Sequence, residues 1–250
     1  MKVVGIIPAR FESTRFPGKP LAKILDKPMI QWVYERAKKS KTIQTLIVAT
    51  DSIQVYNQVK DFGAEVVLTS KEHQSGTSRV AEVSAQLDVE IVVNIQGDEP
   101  LISPDAIDEV VKPLITDPTI YMATLKQKIT DENELSNPNV VKVVTDKDDF
   151  ALYFSRSLIP FVTPPYTSYI YKHIGLYVYR KDFLLKLVQL PPTKLEQVEK
   201  LEQLRVLENG YKIKVIKTGH SSIGVDTEED LEKVSKILKQ EAMVSDNSYK

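Results

Sequence analysis

Three cationic side chains follow the first apolar run of the sequence within a short span. The run Val3–Ile7 leads into the loop Pro8–Ala22, which carries Arg10, Arg15 and Lys19. Arginine binds phosphate oxygens through its planar fork and lysine binds them as a compact charge, so this loop suits a polyphosphate. A solvated basic loop is the alternative, and the position directly after the first predicted strand favours phosphate binding.

The loop does not fit the two common phosphate-binding fingerprints. Gly18-Lys19 is followed by Pro20, where a Walker A loop has Ser or Thr. The sequence also lacks a G-x-G-x-x-G motif, which argues against a dinucleotide cofactor.

A second polar segment, Asn94–Pro100, follows the apolar run Ile91–Val93 and carries Asp98 and Glu99. The carboxyl ends of parallel strands meet at one edge of a sheet, so we expect these acids to lie near the basic loop. Carboxylate oxygens beside a polyphosphate are the ligands that Mg²⁺ requires. The alternative is an ordinary turn or helix-capping acid.

Two further acidic segments have competing interpretations. Asp226 either supplies a second metal ligand or is an acid at the N-terminus of a helix, and the residues alone favour the helix acid. The D-x-D at 146–148 matches metal-dependent glycosyltransferases, but it lies between two predicted strands. A hairpin turn therefore explains it better.

The elements that must position these residues alternate between buried strands and amphipathic helices. The predicted strands are Val3–Ile7, Thr45–Thr50, Glu65–Leu68 and Glu90–Ile95, and the predicted helices are Met29–Ser40, Ile53–Phe62 and Thr77–Leu87. This alternation predicts an α/β fold with a mostly parallel central sheet and helices on both faces.

Beyond about residue 120 the pattern changes to strands joined by turns. The predicted strands are Tyr121–Lys128, Val140–Thr145, Ala151–Phe154, Ile170–Tyr179 and Lys212–Lys217. Thr193 is typical of the N-cap of a helix, whose predicted apolar face consists of Leu195, Val198, Leu201 and Leu204. A closing helix is predicted over Glu228–Lys239. We expect one domain over 1–240, with a nucleotide-binding part at about 1–120 and 210–240, a smaller β-rich part at about 121–209, and a solvated tail at 241–250.

The composition excludes several classes of function. With 33 basic and 34 acidic residues, the net charge of −1 argues against a nucleic-acid-binding protein that relies on a broad positive field. The chain has no cysteine, which excludes disulfides, thiolate metal sites and cysteine nucleophiles. No apolar run approaches the ~20 residues of a membrane span, so we expect no membrane partner and a cytoplasmic location.

Seven segments, in order from residue 3 to about 236, resemble the 3-deoxy-manno-octulosonate (Kdo) cytidylyltransferases. They are PAR-x-x-S-T-R-x-P-G-K-P-L from Pro8, HQSGT at His73–Thr77, NIQGDEP at Asn94–Pro100, ALYFSR at Ala151–Arg156, KHIGLY at Lys172–Tyr177, LEQLR at Leu201–Arg205 and VDT-x-EDLE from Val225. The opening loop is shared with several sugar nucleotidyltransferases, whereas HQSGT, YFSR, H-x-G-x-Y and LEQLR together indicate the Kdo branch. Ser78 departs from the pattern, since the family usually has an acidic residue there.

The resemblance implies a Rossmann-like nucleotidyltransferase fold, with CTP and Kdo as substrates, Mg²⁺ as cofactor and a homodimeric assembly. Its products would be pyrophosphate and CMP-Kdo, the activated sugar for lipopolysaccharide synthesis. The implied catalytic residues are Arg15, Lys19, Asp98 and Asp226, the last two as metal ligands. The implied nucleotide-binding residues are Pro8, Ala9, Arg10, Ser13, Lys19, His73, Gln74, Ser75, Gly76 and Gln96. The implied sugar-binding residues, in the part at about 121–209, are Arg156, His173, Tyr177, Glu202 and Gln203.

Alternatives stay open for the sugar side and for the function. Arg156 is also explained as an exposed strand end, His173 as a partner of a backbone carbonyl, and Glu202 and Gln203 as the wet face of a helix. Two other functions fit the sequence: a cytidylyltransferase for an amino-substituted Kdo or a sialic acid, and a nucleotide-binding protein without catalysis.

Overall fold

The computed structural model describes residues 1–11, 16–163, 169–220 and 223–247. The strands are β1 (Val3–Ala9), β2 (Lys23–Ile24), β3 (Lys27–Pro28), β4 (Thr45–Thr50), β5 (Glu65–Leu68), β6 (Ile91–Asn94), β7 (Met122–Lys128), β8 (Lys142–Thr145), β9 (Ala151–Ser155), β10 (Tyr171–Arg180) and β11 (Lys214–Lys217). The helices are α1 (Met29–Ala37), α2 (Ile53–Asp61), α3 (Gly76–Ala85), α4 (Pro104–Thr116), α5 (Asn133–Ser136), α6 (Lys181–Leu187), α7 (Lys194–Glu199), α8 (Leu204–Glu208) and α9 (Glu228–Asn247). A 3₁₀ turn spans Lys19–Leu21.

The chain divides into two compact units, which we name by their sheets. The parallel-sheet unit comprises Val4–Gln86, Asn94–Pro104 and Ser221–Lys250. The mixed-sheet unit comprises Met1–Val3, Leu87–Val93 and Asp105–His220. The assignment of 1–240 to a single domain, with a tail at 241–250, stays a prediction.

In the parallel-sheet unit, β4 pairs in parallel with β1 on one side and with β5 on the other. Every residue of β1 is buried, which explains why its sequence is apolar without alternation. Our prediction that β1 ends at Ile7 was wrong, because Pro8 and Ala9 continue in register with Ala49 and Thr50. The fixed φ of proline is compatible with an extended strand end.

The C-terminal helix α9 packs within the same unit. A buried cluster joins it to the β2–β3 hairpin, to α1 and to the segment after β6; its members are Ile24, Met29, Leu101, Val225, Val234 and Leu238. The predicted helix end at Lys239 was wrong, since α9 continues to Asn247. Residues 240–247 contain neither Gly nor Pro, so nothing in the sequence breaks the helix there. Residues 248–250 lie outside the described residues.

In the mixed-sheet unit, β11 pairs with β7 and β7 with β10, and β10 lies beside both β6 and β8, with β9 beyond β8. The β11–β7 pair is parallel, and the β7–β10, β10–β8 and β8–β9 pairs are antiparallel. Helix α4 was not predicted, although its buried residues Ile107, Val110, Val111 and Leu114 repeat at helical spacing.

Across the described part of the chain, no helix combines the length and the apolar character needed to cross a membrane.

The D-x-D at 146–148 forms the predicted hairpin turn between β8 and β9. Asp146 Oδ1 accepts hydrogen bonds from the backbone N–H groups of Asp148 (2.9 Å) and Phe150 (2.8 Å). Asp149 adopts a left-handed conformation with φ of 57°. The aspartates of this motif therefore shape a turn.

The prediction of one helix from Thr193 through Leu204 was wrong. Helix α7 ends at Glu199, because Lys200 adopts a left-handed conformation with φ of 54°, and α8 begins only at Leu204. Leu201 and Leu204 are buried as predicted, but Val198 is 73% exposed. The apolar spacing thus spans two short helices and does not define one face.

Candidate active site

Lys19 joins the basic loop to both predicted metal ligands. Its Nζ donates to Asp98 Oδ2 at 2.6 Å and to Asp226 Oδ1 at 3.0 Å. The Lys19 side chain is only 12% exposed, whereas the two carboxylates are partly open to solvent. One ammonium group therefore holds two carboxylates that come from distant parts of the sequence.

Backbone contacts bring these three segments of the parallel-sheet unit together. Ile95 N–H donates to Ile6 O (3.0 Å), and Val225 N–H donates to Asp98 O (2.9 Å). Gly97 allows the close approach, because a Cβ atom there would lie 2.7 Å from Pro8 O. These contacts hold the segment that carries Asp98 beside β1. They also hold the segment that carries Asp226 beside Asp98.

The loop with Lys19 is closed by a glycine. Gly18 N–H donates to Phe11 O at 3.0 Å, and Gly18 has a φ of 71°, in the left-handed region that glycine tolerates. The 3₁₀ turn with Lys19 begins at the next residue. The left-handed conformation of Gly18 therefore sets the direction in which the backbone enters the 3₁₀ turn that carries Lys19.

The two carboxylates fit a magnesium ion in their chemistry. Among the described residues, no group of three or more His, Asp or Glu side chains is arranged to hold a metal. Magnesium, however, is usually held by one or two carboxylates, with substrate phosphates and water completing its shell. Two carboxylate oxygens within 3.0 Å of one cationic nitrogen match that donor set.

The HQSGT segment is fixed by its own side chains. His73 Nε2 pairs with Glu82 of α3, which also accepts from the backbone N–H of Ser70 (3.1 Å). Although burial opposes ionisation, these hydrogen bonds hold the pKa of Glu82 below its usual value. Arg10 Nη1 lies 3.4 Å from Gln74 O, so the basic loop reaches the same segment.

Ser78 takes a structural role at the start of α3. Its Oγ accepts from Ser75 N–H at 3.4 Å, and Ser75 Oγ accepts from Ser78 N–H at 3.2 Å. This reciprocal arrangement is a capping box, in which the third helical residue usually bears Glu or Gln. Serine therefore replaces the acid of the family pattern without loss of the cap.

Arg79 is fully buried beneath this segment. Its Nη2 lies 2.5 Å from Asp51 Oδ2, and Nη1 contacts Thr69 Oγ1 and Ser70 O. Arg79 thereby ties α3 to the residues that directly follow β4 and β5. The sequence offered one signal for this role, a single cation on the apolar side of a predicted helix.

In the mixed-sheet unit, Arg156 follows β9 directly and donates to three backbone carbonyls. Nε bonds to Glu199 O (2.8 Å), Nη1 to Pro138 O (2.9 Å) and Nη2 to Lys200 O (3.4 Å). A guanidinium has five N–H groups, so two remain for a ligand. Arg156 is therefore held in place rather than extended into solvent.

His173 lies within an aromatic group of the same unit. Its ring contacts Phe154 edge-on at 5.1 Å and Tyr177 at 5.3 Å, and Nε2 lies 2.9 Å from Thr124 Oγ1. Burial lowers the pKa of His173 to about 3, so the imidazole is neutral near pH 7. A neutral imidazole offers a hydrogen bond but no charge to a ligand.

Gln203 is buried in the turn between α7 and α8, next to the half-buried Glu202. It is 5% exposed, and no acceptor from the described residues lies within hydrogen-bonding distance of its Nε2. The alternative placed Gln203 on the solvent-exposed face of a helix, and it is wrong because Gln203 is buried. An unpartnered buried amide is costly unless a ligand or water satisfies it.

Comparison with known proteins places the chain in a family. The cytidylyltransferase family model matches residues 4–213. The 3-deoxy-manno-octulosonate cytidylyltransferase of Solibacter usitatus is 55% identical over 243 residues, which cover 95% of both chains. The enzyme of the same name from Geobacter sulfurreducens is 51% identical, over 96% of this chain and all of that one. The chain belongs to the 3-deoxy-manno-octulosonate cytidylyltransferase family.

A solved structure supports the same assignment. The CMP:2-keto-3-deoxy-manno-octonic acid synthetase complexed with CTP superposes with a TM-score of 0.91 at 42% identity, over 96% of this chain and all of that one. The α/β nucleotidyltransferase fold predicted from the sequence is thereby confirmed. A cytidylyltransferase of Leptospira borgpetersenii, at 19% identity and a TM-score of 0.63, shares the fold.

Within this member of the Kdo cytidylyltransferase family, the predicted site residues divide between the two units. The parallel-sheet unit holds Pro8, Ala9, Arg10, Lys19, His73, Gln74, Ser75, Gly76, Gln96, Asp98 and Asp226, and the mixed-sheet unit holds Arg156, His173, Tyr177, Glu202 and Gln203. Ser13 and Arg15 lie outside the described residues. The binding and catalytic roles of all these residues stay predictions. Sequence reasoning missed Glu82 and Glu199, both of which hold predicted site residues.

Proposed function

We propose that this chain transfers CMP from CTP to Kdo and releases pyrophosphate. The observation that carries the proposal is the convergence of Lys19 on Asp98 and Asp226 in a member of the Kdo cytidylyltransferase family. A cation and two carboxylates at one point are what a metal-assisted reaction of a triphosphate needs.

In the proposed reaction, the anomeric hydroxyl oxygen of Kdo forms a bond to the α-phosphorus of CTP. The bond between that phosphorus and the bridging oxygen to the β-phosphate breaks, and the hydroxyl proton passes to solvent. Such a reaction requires little covalent chemistry from the protein, so positioning and charge neutralisation supply most of the rate. We assign the phosphates to Arg10, Arg15 and Lys19, and the remaining nucleotide contacts to the HQSGT segment and Gln96.

We assign Asp98 and Asp226 as the residues that hold Mg²⁺. When bound, the ion would neutralise phosphate charge and acidify the attacking hydroxyl. Lys19 bonds to both carboxylates, and a bound triphosphate would offer its ammonium group competing oxygen atoms. Lys19 is then available to stabilise the charge on departing pyrophosphate.

We assign the sugar acid to the residues of the mixed-sheet unit. The two remaining N–H groups of Arg156 suit the carboxylate of Kdo, because a guanidinium pairs with carboxylates in a bidentate fashion. Gln203 Nε2, buried and without an acceptor among the described residues, suits a sugar hydroxyl. We also assign His173, Tyr177 and Glu202 to the sugar acid. The first two are neutral hydrogen-bonding groups, and Glu202 is an acidic one.

The test is pyrophosphate release by the purified chain with CTP and Kdo, measured with and without Mg²⁺. We expect turnover with both substrates and the metal, and background release when any of the three is omitted. A panel containing an amino-substituted Kdo and a sialic acid separates the sister activities. CTP binding without any pyrophosphate release would indicate a nucleotide-binding protein without catalysis.

We also propose that the chain forms a homodimer through the mixed-sheet unit. Several large apolar side chains of this unit are exposed: Leu152 (62%), Leu158 (45%), Phe161 (94%) and Val198 (73%). Both α8 and Glu199 of α7 contact β9. Leu152 of β9 and Val198 of α7 therefore lie on neighbouring elements. Light scattering after gel filtration tests the proposal, with a dimer expected for the wild type and a monomer for Phe161→Asp with Val198→Asp.

A further inference from the structure

Glu199 of α7 holds the end of β9 through both of its carboxylate oxygens. Oε1 accepts from Ser155 Oγ at 2.6 Å and from Tyr153 Oη at 3.5 Å, and Oε2 accepts from the backbone N–H of Arg156 at 3.0 Å. Ser155 is buried, at 3% exposure. Because both oxygens have partners within the protein, this carboxylate fixes its neighbours rather than receiving a ligand.

The same residue also holds the side chain of Arg156. Glu199 O accepts from Nε, and the next carbonyl, that of Lys200, accepts from Nη2. Lys200 has a φ of 54°, which ends α7 and lets two consecutive carbonyls reach one guanidinium. A left-handed conformation is unfavourable for a residue with a side chain, so the surrounding contacts must maintain it.

The third carbonyl in contact with Arg156 belongs to a segment with its own anchor. Pro138 O accepts from Nη1, and the preceding carbonyl, that of Asn137, accepts from Lys142 Nζ at 2.8 Å. Lys142 is completely buried, so it cannot move without breaking the packing of β8. The guanidinium is thus oriented by two anchored segments.

The charge of Arg156 is not neutralised by these contacts. Among the described residues, no carboxylate oxygen lies within ion-pair distance of its guanidinium nitrogens; the Glu199 carboxylate instead bonds to the backbone N–H. Carbonyls orient a guanidinium but leave its positive charge available to an anion. A rotamer-rich side chain that is already ordered loses less entropy when the anion binds.

We propose that Glu199 is a positioning residue that pre-orients Arg156 for the carboxylate of the sugar acid. The inference rests on the proposed function, which assigns Arg156 to that carboxylate. The proposal predicts that a substitution of Glu199 changes KM for the sugar acid only through Arg156 and leaves KM for the nucleotide unchanged.

The experiment is a double-mutant cycle with Glu199→Gln and Arg156→Lys, read as KM for Kdo at saturating CTP and KM for CTP at saturating Kdo. Glutamine keeps the shape of Glu199 but loses its charge and one acceptor. We expect Glu199→Gln to raise KM for Kdo about ten-fold with KM for CTP unchanged. In the Arg156→Lys background, the same substitution is expected to change KM for Kdo less than two-fold.

Glu196→Gln is the matched control on the same helix. The Glu196 carboxylate accepts from Arg205 Nε (2.8 Å) and from the N–H of Thr193 (3.0 Å), and it has no contact with Arg156. We expect this variant to lower Tm and to leave KM for Kdo at the wild-type value. A kinetic loss equal to that of Glu199→Gln would show that damage to α7, rather than orientation of Arg156, affects the sugar acid.

The outcomes separate the inference from the proposed function. Additive effects of the two substitutions, or a wild-type KM for Kdo in Glu199→Gln, would overturn the positioning role and leave the CMP transfer intact. A wild-type chain that releases no pyrophosphate from CTP and Kdo would overturn both.

Discussion

The Nζ of Lys19 lies 2.6 Å from Oδ2 of Asp98, so the lysine that we assign to the phosphates and a proposed metal ligand form an ion pair with each other. The same ammonium reaches Asp226 at 3.0 Å. This pairing keeps two neighbouring carboxylates together that would otherwise repel each other. The proposed role of Lys19 at the phosphates therefore competes with its contacts to the two carboxylates.

Replacing Lys19 should weaken the handling of CTP more than that of Kdo. Lys19→Met removes the proposed phosphate contact of a mostly buried ammonium group, and such a contact contributes roughly 1.5–3 kcal/mol. We expect KM for CTP to rise ten-fold or more with KM for Kdo nearly unchanged, in steady-state kinetics with each substrate varied. Lys23→Met, at an exposed position of β2, is the control. The opposite pattern, with only Kdo affected, would assign the basic loop to the wrong substrate.

Asp98→Asn should abolish most turnover without disturbing the fold. The amide keeps the shape of the side chain but loses the charge that we assign to Mg²⁺ binding, and we expect a tens-fold or larger loss in pyrophosphate release. Circular dichroism checks the fold. Asp148→Asn, in the β8–β9 turn, is expected to behave as the wild type. Near-normal turnover of Asp98→Asn at saturating Mg²⁺ would exclude Asp98 as a metal ligand.

The parallel strands were the most predictable part of the fold. The predicted bounds of β4 and β5 agree with the structure. A strand buried within a parallel sheet, such as β4, has a short, continuous apolar run, whereas β5 lies at the edge of the sheet and is recognised by its two valines. The approach of Lys19 to Asp98 follows as well, since both residues lie in segments that follow the carboxyl ends of buried strands, β1 and β6. No strand among the described residues directly precedes Asp226. The residues alone favoured a helix acid over a metal ligand, so its assignment as a metal ligand depends on the family resemblance.

The connection between α7 and α8 shows what local pattern cannot predict. Leu195, Val198, Leu201 and Leu204 repeat at helical spacing, yet the helix ends at Lys200. Left-handed helix ends usually carry Gly or Asn, and a lysine gives no such signal. The contacts that hold Lys200 come from Arg156, 44 positions earlier, and are visible only in the tertiary structure. The contacts of Glu199 with Ser155 and Arg156 were missed for the same reason.

His173 should make the stability of the fold depend on pH. Its pKa is lowered to about 3 by burial, from an ordinary value of 6.5. Below pH 6.5 the unfolded chain binds a proton at this residue that the folded chain does not, so the contribution of neutral His173 is complete above pH 6.5 and is lost as pH falls toward 3. The maximum slope from one such group is about 1.4 kcal/mol per pH unit.

The measurement is urea unfolding of the wild type and of His173→Gln between pH 5 and pH 7. We expect the wild-type free energy of unfolding to fall more steeply than that of the variant as the pH is lowered. Equal slopes for the two proteins would mean that His173 is protonated in the folded chain with an ordinary pKa.

The buried ion pair between Arg79 and Asp51 should contribute strongly to stability. Asp51→Asn leaves a fully buried guanidinium without its counter-charge, and breaking such a pair costs about 3 kcal/mol or more. Glu35→Gln breaks the more exposed pair with Lys27, for which we expect about 1 kcal/mol or less. Chemical denaturation of both variants gives the comparison. Equal losses would show that Arg79 finds other partners in the folded chain.

The contact between Lys19 and Asp226 joins residues 207 positions apart. Most of the chain must therefore leave the ribosome before the second carboxylate can meet the first. A chain that ends before residue 226 would keep the basic loop and Asp98 but lack the second carboxylate that Lys19 holds. The proposed site is therefore completed only by the last tenth of the sequence.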